Sequence, residues 1–181
     1  MNPNSVLEAE KLFKSIKKLT VKGVDAVICA PSPFLSNLKK IGVTTNLALG
    51  AQNVHFEKEG AYTGEVSATM LNSFKINYSI VGHSERRAMG ESNDDIAKKV
   101  LALTKNKIIP IICIGEKDRD HSGFYLHTIK AQIVSALSLI PKTIFKSVII
   151  AYEPVWAIGA NAERPATPAE CQILRLRMLS V

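Results

Sequence analysis

The chain has 181 residues, 46% of them apolar and 22% charged, with scattered Gly and Pro, which suits one domain with a sizeable core and excludes a disordered or low-complexity chain. Lys and Arg outnumber Asp and Glu by 23 to 16, and the resulting charge of +7 fits nucleic acid, a phosphorylated small molecule or plain solubility. Three distant cysteines without C-x-x-C spacing, Cys29, Cys113 and Cys171, argue against a disulfide framework or zinc site and for a reducing cytoplasm, while the absence of an apolar signal core or a bilayer-length run argues against export and membrane insertion.

Short apolar, β-branched runs alternate with longer amphipathic stretches. The first helix is expected over Ser5–Leu19, where Lys11, Lys14, Lys18 and Lys22 recur opposite Val6, Ala9, Phe13 and Ile16. That is the solvated face of an amphipathic helix, so the positive charge reads as solubility or a phosphate preference. No arginine-rich arm or aromatic RNA-binding pair accompanies it, and nucleic acid is not expected as a partner. A strand over Val24–Ala30 follows, then a helix over Phe34–Lys40, a strand over Leu47–Ala51, a helix over Val66–Phe74 and a strand over Tyr78–Val81. Ser92-Asn93-Asp94-Asp95 offers a cap for a helix over Asp94–Lys105. Strand Ile108–Ile114, helix Phe124–Leu139 and strand Ser147–Tyr152 come next, and Thr167 caps a last helix over Pro168–Met178. The strand runs lack the polar alternation of a sheet with one wet face, which implies parallel strands covered on both sides in a single α/β domain spanning 1–181.

Polar residues gather after the strands, at the end where parallel α/β folds bind ligands. Glu153 stands where the last strand stops; Pro154 breaks the pairing, and Val155-Trp156-Ala157-Ile158-Gly159 is apolar and short enough to hinge. This reads as a base beside a lid, with a surface ion pair as the bland alternative. His83, in Gly82-His83-Ser84-Glu85-Arg86-Arg87, follows a strand and opens a helical turn, where nearby backbone N–H groups disfavour imidazolium. A neutral imidazole there can donate to a substrate carbonyl; a structural histidine satisfied by backbone is the alternative. Together the two groups suit proton abstraction beside a carbonyl. A serine hydrolase is disfavoured for want of a G-x-S-x-G elbow, and a metal site because His55, His83, His121 and His127 show no ligand spacing.

The segments A-Y-E-P-V-W-A-I-G, V-G-H-S-E-R-R, G-A-Q-N-V, A-Y-T-G-E-V and C-I-G-E-K resemble triosephosphate isomerases across essentially the whole chain. The resemblance implies a TIM (β/α)8 barrel, represented here by about five of eight strands, the second to the sixth. It implies a cofactor-free interconversion of dihydroxyacetone phosphate and D-glyceraldehyde 3-phosphate in glycolysis and gluconeogenesis, by a cytoplasmic homodimer. The roles that follow are the family's. Glu153 matches the general base, His83 the electrophile, and Pro154 to about Ala166 the lid, with the Gly159 N–H facing the substrate phosphate. Ser84 matches the residue holding the base in the open state, Glu85 the partner of a catalytic lysine, and Cys113 a buried strand cysteine, for which packing is an equal explanation. Gln52 and Asn53 match the start, and Tyr62, Thr63, Gly64 and Glu65 the tip, of a loop that inserts into a second subunit; read alone, this is a long turn.

Three departures accompany the resemblance. The family's Asn-x-Lys-Met-Asn motif would place its lysine just before Met1, its last two strands would follow Val181, and Ala160 to Arg164 replace a common Thr-Gly continuation of the lid. The expectation is a sequence truncated at both ends, with impaired turnover on its own. The alternative is a non-catalytic remnant acting as an assembly or interaction module.

Overall fold

A computed structural model describes residues 1–19, 23–44, 46–120, 122–159 and 162–172. Helix α1 (Val6–Leu19) begins where the Ser5 hydroxyl accepts the Glu8 N–H at 3.2 Å, a side-chain cap, and the Glu8 carboxylate accepts the Asn4 N–H at 2.8 Å. Ala9 and Phe13, one turn apart, are fully buried, while Lys11, Lys14 and Lys18 face outward; Lys22 lies outside the described residues. Strand β1 (Ala26–Ala30), helix α2 (Leu35–Ile41), strand β2 (Leu47–Ala51), helix α3 (Ala68–Ser73) and strand β3 (Tyr78–Val81) follow. The second half comprises α4 (Ser84–Ala88), α5 (Asn93–Lys105), β4 (Ile109–Ile114), α6 (Tyr125–Leu137) and β5 (Ile149–Tyr152). Residues 168–172 are helical; the remainder of the expected helix, 173–178, is outside the described residues.

All five strands are parallel and lie in sequence order, with Ala30 opposite Ala51, Ala51 opposite Ser79, Val81 opposite Ile112 and Ile114 opposite Tyr152. Parallel crossovers are right-handed, so an order that never reverses sends every connecting helix to the same side. A doubly wound sheet would need a reversal; this order instead gives the curled arc of a TIM barrel, with helices outside. Ile28, Ala30, Leu47, Leu49, Ala51, Val81, Ile112 and Ile114 face those helices and bury against Phe13, Leu38, Leu71, Ile96, Val100, Leu103 and Ile129. At ~1.5–3 kcal/mol for each large apolar side chain, this layer is the main favourable term of the fold.

The expectation of strands sheathed on both faces is corrected here. Val27, Cys29, Tyr78, Ile80, Ile109 and Ile111 point into the concavity and are half-buried, without a second helix layer among the described residues. Burial alternates along the strands, but both sets are apolar because the inward set belongs to the barrel's interior. Other boundaries move for local reasons. The Val66 carbonyl accepts the His55 N–H at 2.8 Å and Ser67 caps α3, so that helix starts later than expected. Asn93 joins α5 because Ser92 and Asp95 form a complete capping box. Ser147 ends a 3-10 turn, Lys142–Ser147, before β5 begins. Among the described residues, no helix is long and apolar enough to cross a membrane.

Candidate active site

The exits of β3, β4 and β5 converge at the carboxyl end of the sheet. After β3, Gly82 adopts φ +71°, and a Cβ there would lie 2.9 Å from Ile96 Cδ1 and 3.1 Å from the Cys113 carbonyl, so both conformation and space call for glycine. Its N–H donates to Glu91 Oε2 at 2.9 Å, and Arg87 Nε donates to its carbonyl at 2.8 Å. Arg87 also donates to Asn93 Oδ1 at 2.7 Å and to the Cys113 carbonyl at 3.3 Å. Burial lowers its pKa, opposed by the carboxylates of Glu91 and Glu153.

That clamped turn delivers His83 as the cap of α4. Its Nδ1 accepts the Glu85 N–H at 3.3 Å, and its Nε2 lies 3.3 Å from Glu153 Oε1. An Nδ1 that accepts carries no proton, which puts the ring proton on Nε2, facing the carboxylate. The Glu85 carboxylate sits 3.8 Å from Nδ1 but is 85% exposed; the shorter backbone bond outweighs a solvated charge.

Glu153 is held from the β4 side. Its N–H donates to the Ile114 carbonyl at 2.7 Å, and the Val155 N–H donates to the Glu116 carbonyl at 2.9 Å, which extends the β4–β5 ladder past Tyr152. Between these bonds the chains touch: a Cβ on Gly115 would lie 1.9 Å from the Glu153 carbonyl oxygen. Gln132 of α6 fixes Gly115 from behind, donating to its carbonyl at 3.0 Å and accepting its N–H at 2.9 Å. The Glu153 carboxylate accepts the Cys113 thiol at 3.3 Å on Oε1 and the Ser84 backbone N–H at 3.4 Å on Oε2. Burial first, and the neighbouring Glu153 charge second, push the Cys113 thiol far above its ordinary range, so it serves as an S–H donor.

Among the expected site residues, His83, Ser84 and Cys113 each contact the Glu153 carboxylate, and Glu85 joins through His83. Gln52 donates to the Met1 carbonyl at 2.6 Å and the Cys29 carbonyl at 3.3 Å, beside an open cleft of about 540 Å³ that also borders His83, Glu85, Arg86 and Asn53. Tyr62, Thr63, Gly64 and Glu65 form an exposed tip, with Tyr62 packed 4.4 Å from the His55 ring. Gly159 is described with φ +76°; Ala160 and Asn161 of the expected lid, like His121, lie outside the described residues. Among the described residues, no three His, Cys, Asp or Glu side chains group to hold a metal ion.

The sequence left several supports unassigned. Buried Glu91 takes Lys99 Nζ on Oε1, faces Arg86 Nε at 3.5 Å, and holds Gly82; Lys99 in turn donates to Asn53 Oδ1 at 2.9 Å. This path joins the start of the 52–65 segment to the turn bearing His83. Glu116, also buried, accepts the Tyr152 hydroxyl at 2.8 Å and the Trp156 indole N–H at 2.9 Å. Burial, followed by the Glu116 carboxylate, pushes the Tyr152 phenol well above its ordinary range. The only sequence signal for Glu116 was its place in C-I-G-E-K; for Lys99, a mid-helix lysine, there was none.

Chemically, the rim offers a carboxylate oxygen and an imidazole N–H 3.3 Å apart, with side chains 22% and 30% exposed. One group can take a proton while its neighbour donates to an adjacent oxygen. The family profile described as "Triosephosphate isomerase" matches residues 1–176. A curated relative, the triosephosphate isomerase of Alkaliphilus oremlandii (strain OhILAs), is 41% identical over 175 residues, covering 95% of this chain and 71% of the relative. With the parallel barrel arc and a match along nearly its whole length, the chain belongs to the triosephosphate isomerase family of isomerases.

Proposed function

We propose that the chain interconverts dihydroxyacetone phosphate and D-glyceraldehyde 3-phosphate, with Glu153 as the base and His83 as the electrophile. The observation that carries this reading is Glu153 Oε1 lying 3.3 Å from His83 Nε2 while a backbone N–H occupies Nδ1. Glu153 removes a proton from the carbon next to the carbonyl. The Nε2–H donates to the carbonyl oxygen as negative charge develops, giving an enediolate. Glu153 then returns the proton to the neighbouring carbon, while the hydroxyl proton on the first oxygen passes by way of the His83 imidazole to the former carbonyl oxygen. The net change relocates one proton between the two carbons and one between the two oxygens of a single molecule, which needs no redox cofactor. Ser84 and Cys113 hold the carboxylate in place before substrate enters. Residues from Pro154 to about Ala166 close as a lid, with the Gly159 N–H on the phosphate, excluding water from the intermediate.

The same reading places the enzyme in glycolysis and gluconeogenesis, in the cytoplasm. It gives the 52–65 segment, from Gln52 and Asn53 to the tip at Tyr62, Thr63, Gly64 and Glu65, to a homodimer contact. A coupled dehydrogenase assay tests the chemistry. Glu153→Asp draws the carboxylate back by about one carbon–carbon bond and should lower kcat ~10²-fold or more, and His83→Gln should lower it ~10²- to 10⁴-fold, with the affinity for 2-phosphoglycolate retained. Unchanged turnover in either variant would overturn the assignment.

A further inference from the structure

We propose that Arg164 is a positioning residue for the lid, fastening the lid's far end to the face of Trp156 at its near end. This deepens the lid reading of residues 154–166 and rests on it. The Arg164 guanidinium carbon lies 4.5 Å from the centre of the Trp156 ring. Its Nη2 donates to Glu170 Oε1 at 2.7 Å and its Nη1 to Glu170 Oε2 at 3.1 Å, the two-pronged geometry that fixes the plane of the fork. Glu170 is itself tied down, because its Oε2 accepts both the N–H and the hydroxyl of Thr167 at 2.8 Å while Thr167 Oγ1 accepts the Glu170 N–H at 3.3 Å.

The cation is therefore aimed from the first turn of the 168–172 helix across to Trp156. The backbone follows the same route, since the Glu163 N–H donates to the Trp156 carbonyl at 2.8 Å. On its other contacts Trp156 belongs to the barrel wall: its indole N–H donates to buried Glu116 and its ring lies 5.8 Å from the Arg119 guanidinium. One aromatic ring is thus shared between the fixed wall and the returning end of the lid. An exposed ion pair alone would do little; here its effect is to hold a cation over an aromatic face. The near and far ends of the lid are thus joined at one ring. Without Arg164 the far end is released, and a bound phosphate must order it.

Trp156 is the chain's sole tryptophan, so its emission reads this contact directly. Emission, acrylamide quenching and 2-phosphoglycolate titration are measured on the full chain and on Arg164→Gln, Arg164→Lys and, as a control on the α1 surface, Lys11→Gln. In the unsubstituted protein, 2-phosphoglycolate should change Trp156 emission; if it does not, the underlying lid reading fails, independently of Arg164. Given that change, Arg164→Gln should raise quenching of the free protein about two-fold or more and weaken 2-phosphoglycolate about three- to ten-fold, the scale of one exposed cation–π contact with its ion pair. Arg164→Lys should recover part of the affinity, since a point charge keeps the attraction but loses the fork. Lys11→Gln should change neither. The proposal is overturned if Arg164→Gln leaves emission, quenching and affinity as in the parent, or if its effects are matched by Lys11→Gln.

Discussion

Replacing Gly115 by alanine tests whether the close approach of two strand exits sets the active geometry. The new Cβ would meet the Glu153 carbonyl oxygen at 1.9 Å and its carbonyl carbon at 2.6 Å. An ordinary carbon–oxygen contact is about 3.3 Å, so the backbones must part by about 1.4 Å. The bonds bracketing the contact, Glu153 N–H to Ile114 at 2.7 Å and Val155 N–H to Glu116 at 2.9 Å, would stretch beyond hydrogen-bonding range if the strain stayed local. Two lost bonds at ~1 kcal/mol each, with overpacking of ~1–3 kcal/mol, predict a stability loss of about 3–5 kcal/mol. Glu153 rides on the displaced segment, and a misplacement of ~1 Å lowers turnover ~10²-fold. Urea unfolding and the coupled assay measure the two effects. Gly50→Ala is the comparison, because its Cβ would meet the movable Cys29 sulfur at 2.6 Å and Tyr78 only at 3.2 Å, so the cost should be smaller. A Gly115→Ala protein that keeps kcat within about threefold would refute the link between this contact and the placement of Glu153 as the proposed base.

Glu91→Ala strips buried Lys99 of its counter-ion and the Gly82 N–H of its acceptor. The expected loss is ~3–5 kcal/mol in urea unfolding, and a loss below about 1 kcal/mol would count against the network. Exposed Cys171 should react first with a disulfide reagent at pH 8, because burial pushes Cys29 up to about 11 and Cys113 further. The rise of the Cys29 thiol from 9.0 to about 11 cuts its own thiolate fraction at pH 8 about a hundredfold, so equal rates for all three thiols would contradict the burial. Asp120 accepts the Ser122 hydroxyl at 2.6 Å and the N–H groups of Phe124 and Tyr125 at 2.8 and 2.7 Å, bonds that hold its carboxyl below the usual range, the Ser122 bond most of all. Its contribution is complete above the unfolded value of ~3.9 and is lost as pH falls through the lowered folded value. The melting-temperature gap between wild type and Asp120→Asn should therefore narrow below about pH 4, and a gap constant from pH 6 to pH 3 would exclude the mechanism.

The five strands were legible because β-branched runs such as Ile108–Ile114 are short, apolar and bounded by turn residues. The same uniform apolarity hid which face met the helices, since barrel interior and helix-facing core draw on the same residue types. His83 and Glu153 were legible as candidates through their positions just past strand ends, and the resemblance to a family supplied roles that spacing could not. The supports were not legible. Lys99 sits mid-helix, where lysine is ordinarily solvated, and only the fold brings Glu91 and Asn53 to it. The need for glycine at 115 arises from a contact with residue 153, a pairing that no local pattern encodes. Arg164 and Trp156 lie eight positions apart across a segment with no helical or strand period, so their stacking follows from where each end of that segment is anchored.

The strictly sequential strand order also bears on biosynthesis. Each strand needs only its immediate predecessor as a template, so successive units can dock as they leave the ribosome, with short loop closures and little rearrangement. The imidazole's turn, closed by Glu91 just ahead of the next helix and by Lys99 within it, can take shape before the glutamate has been translated. The contact between His83 and Glu153 is then completed late, when β5 docks beside β4 and carries its carboxylate onto a surface already formed.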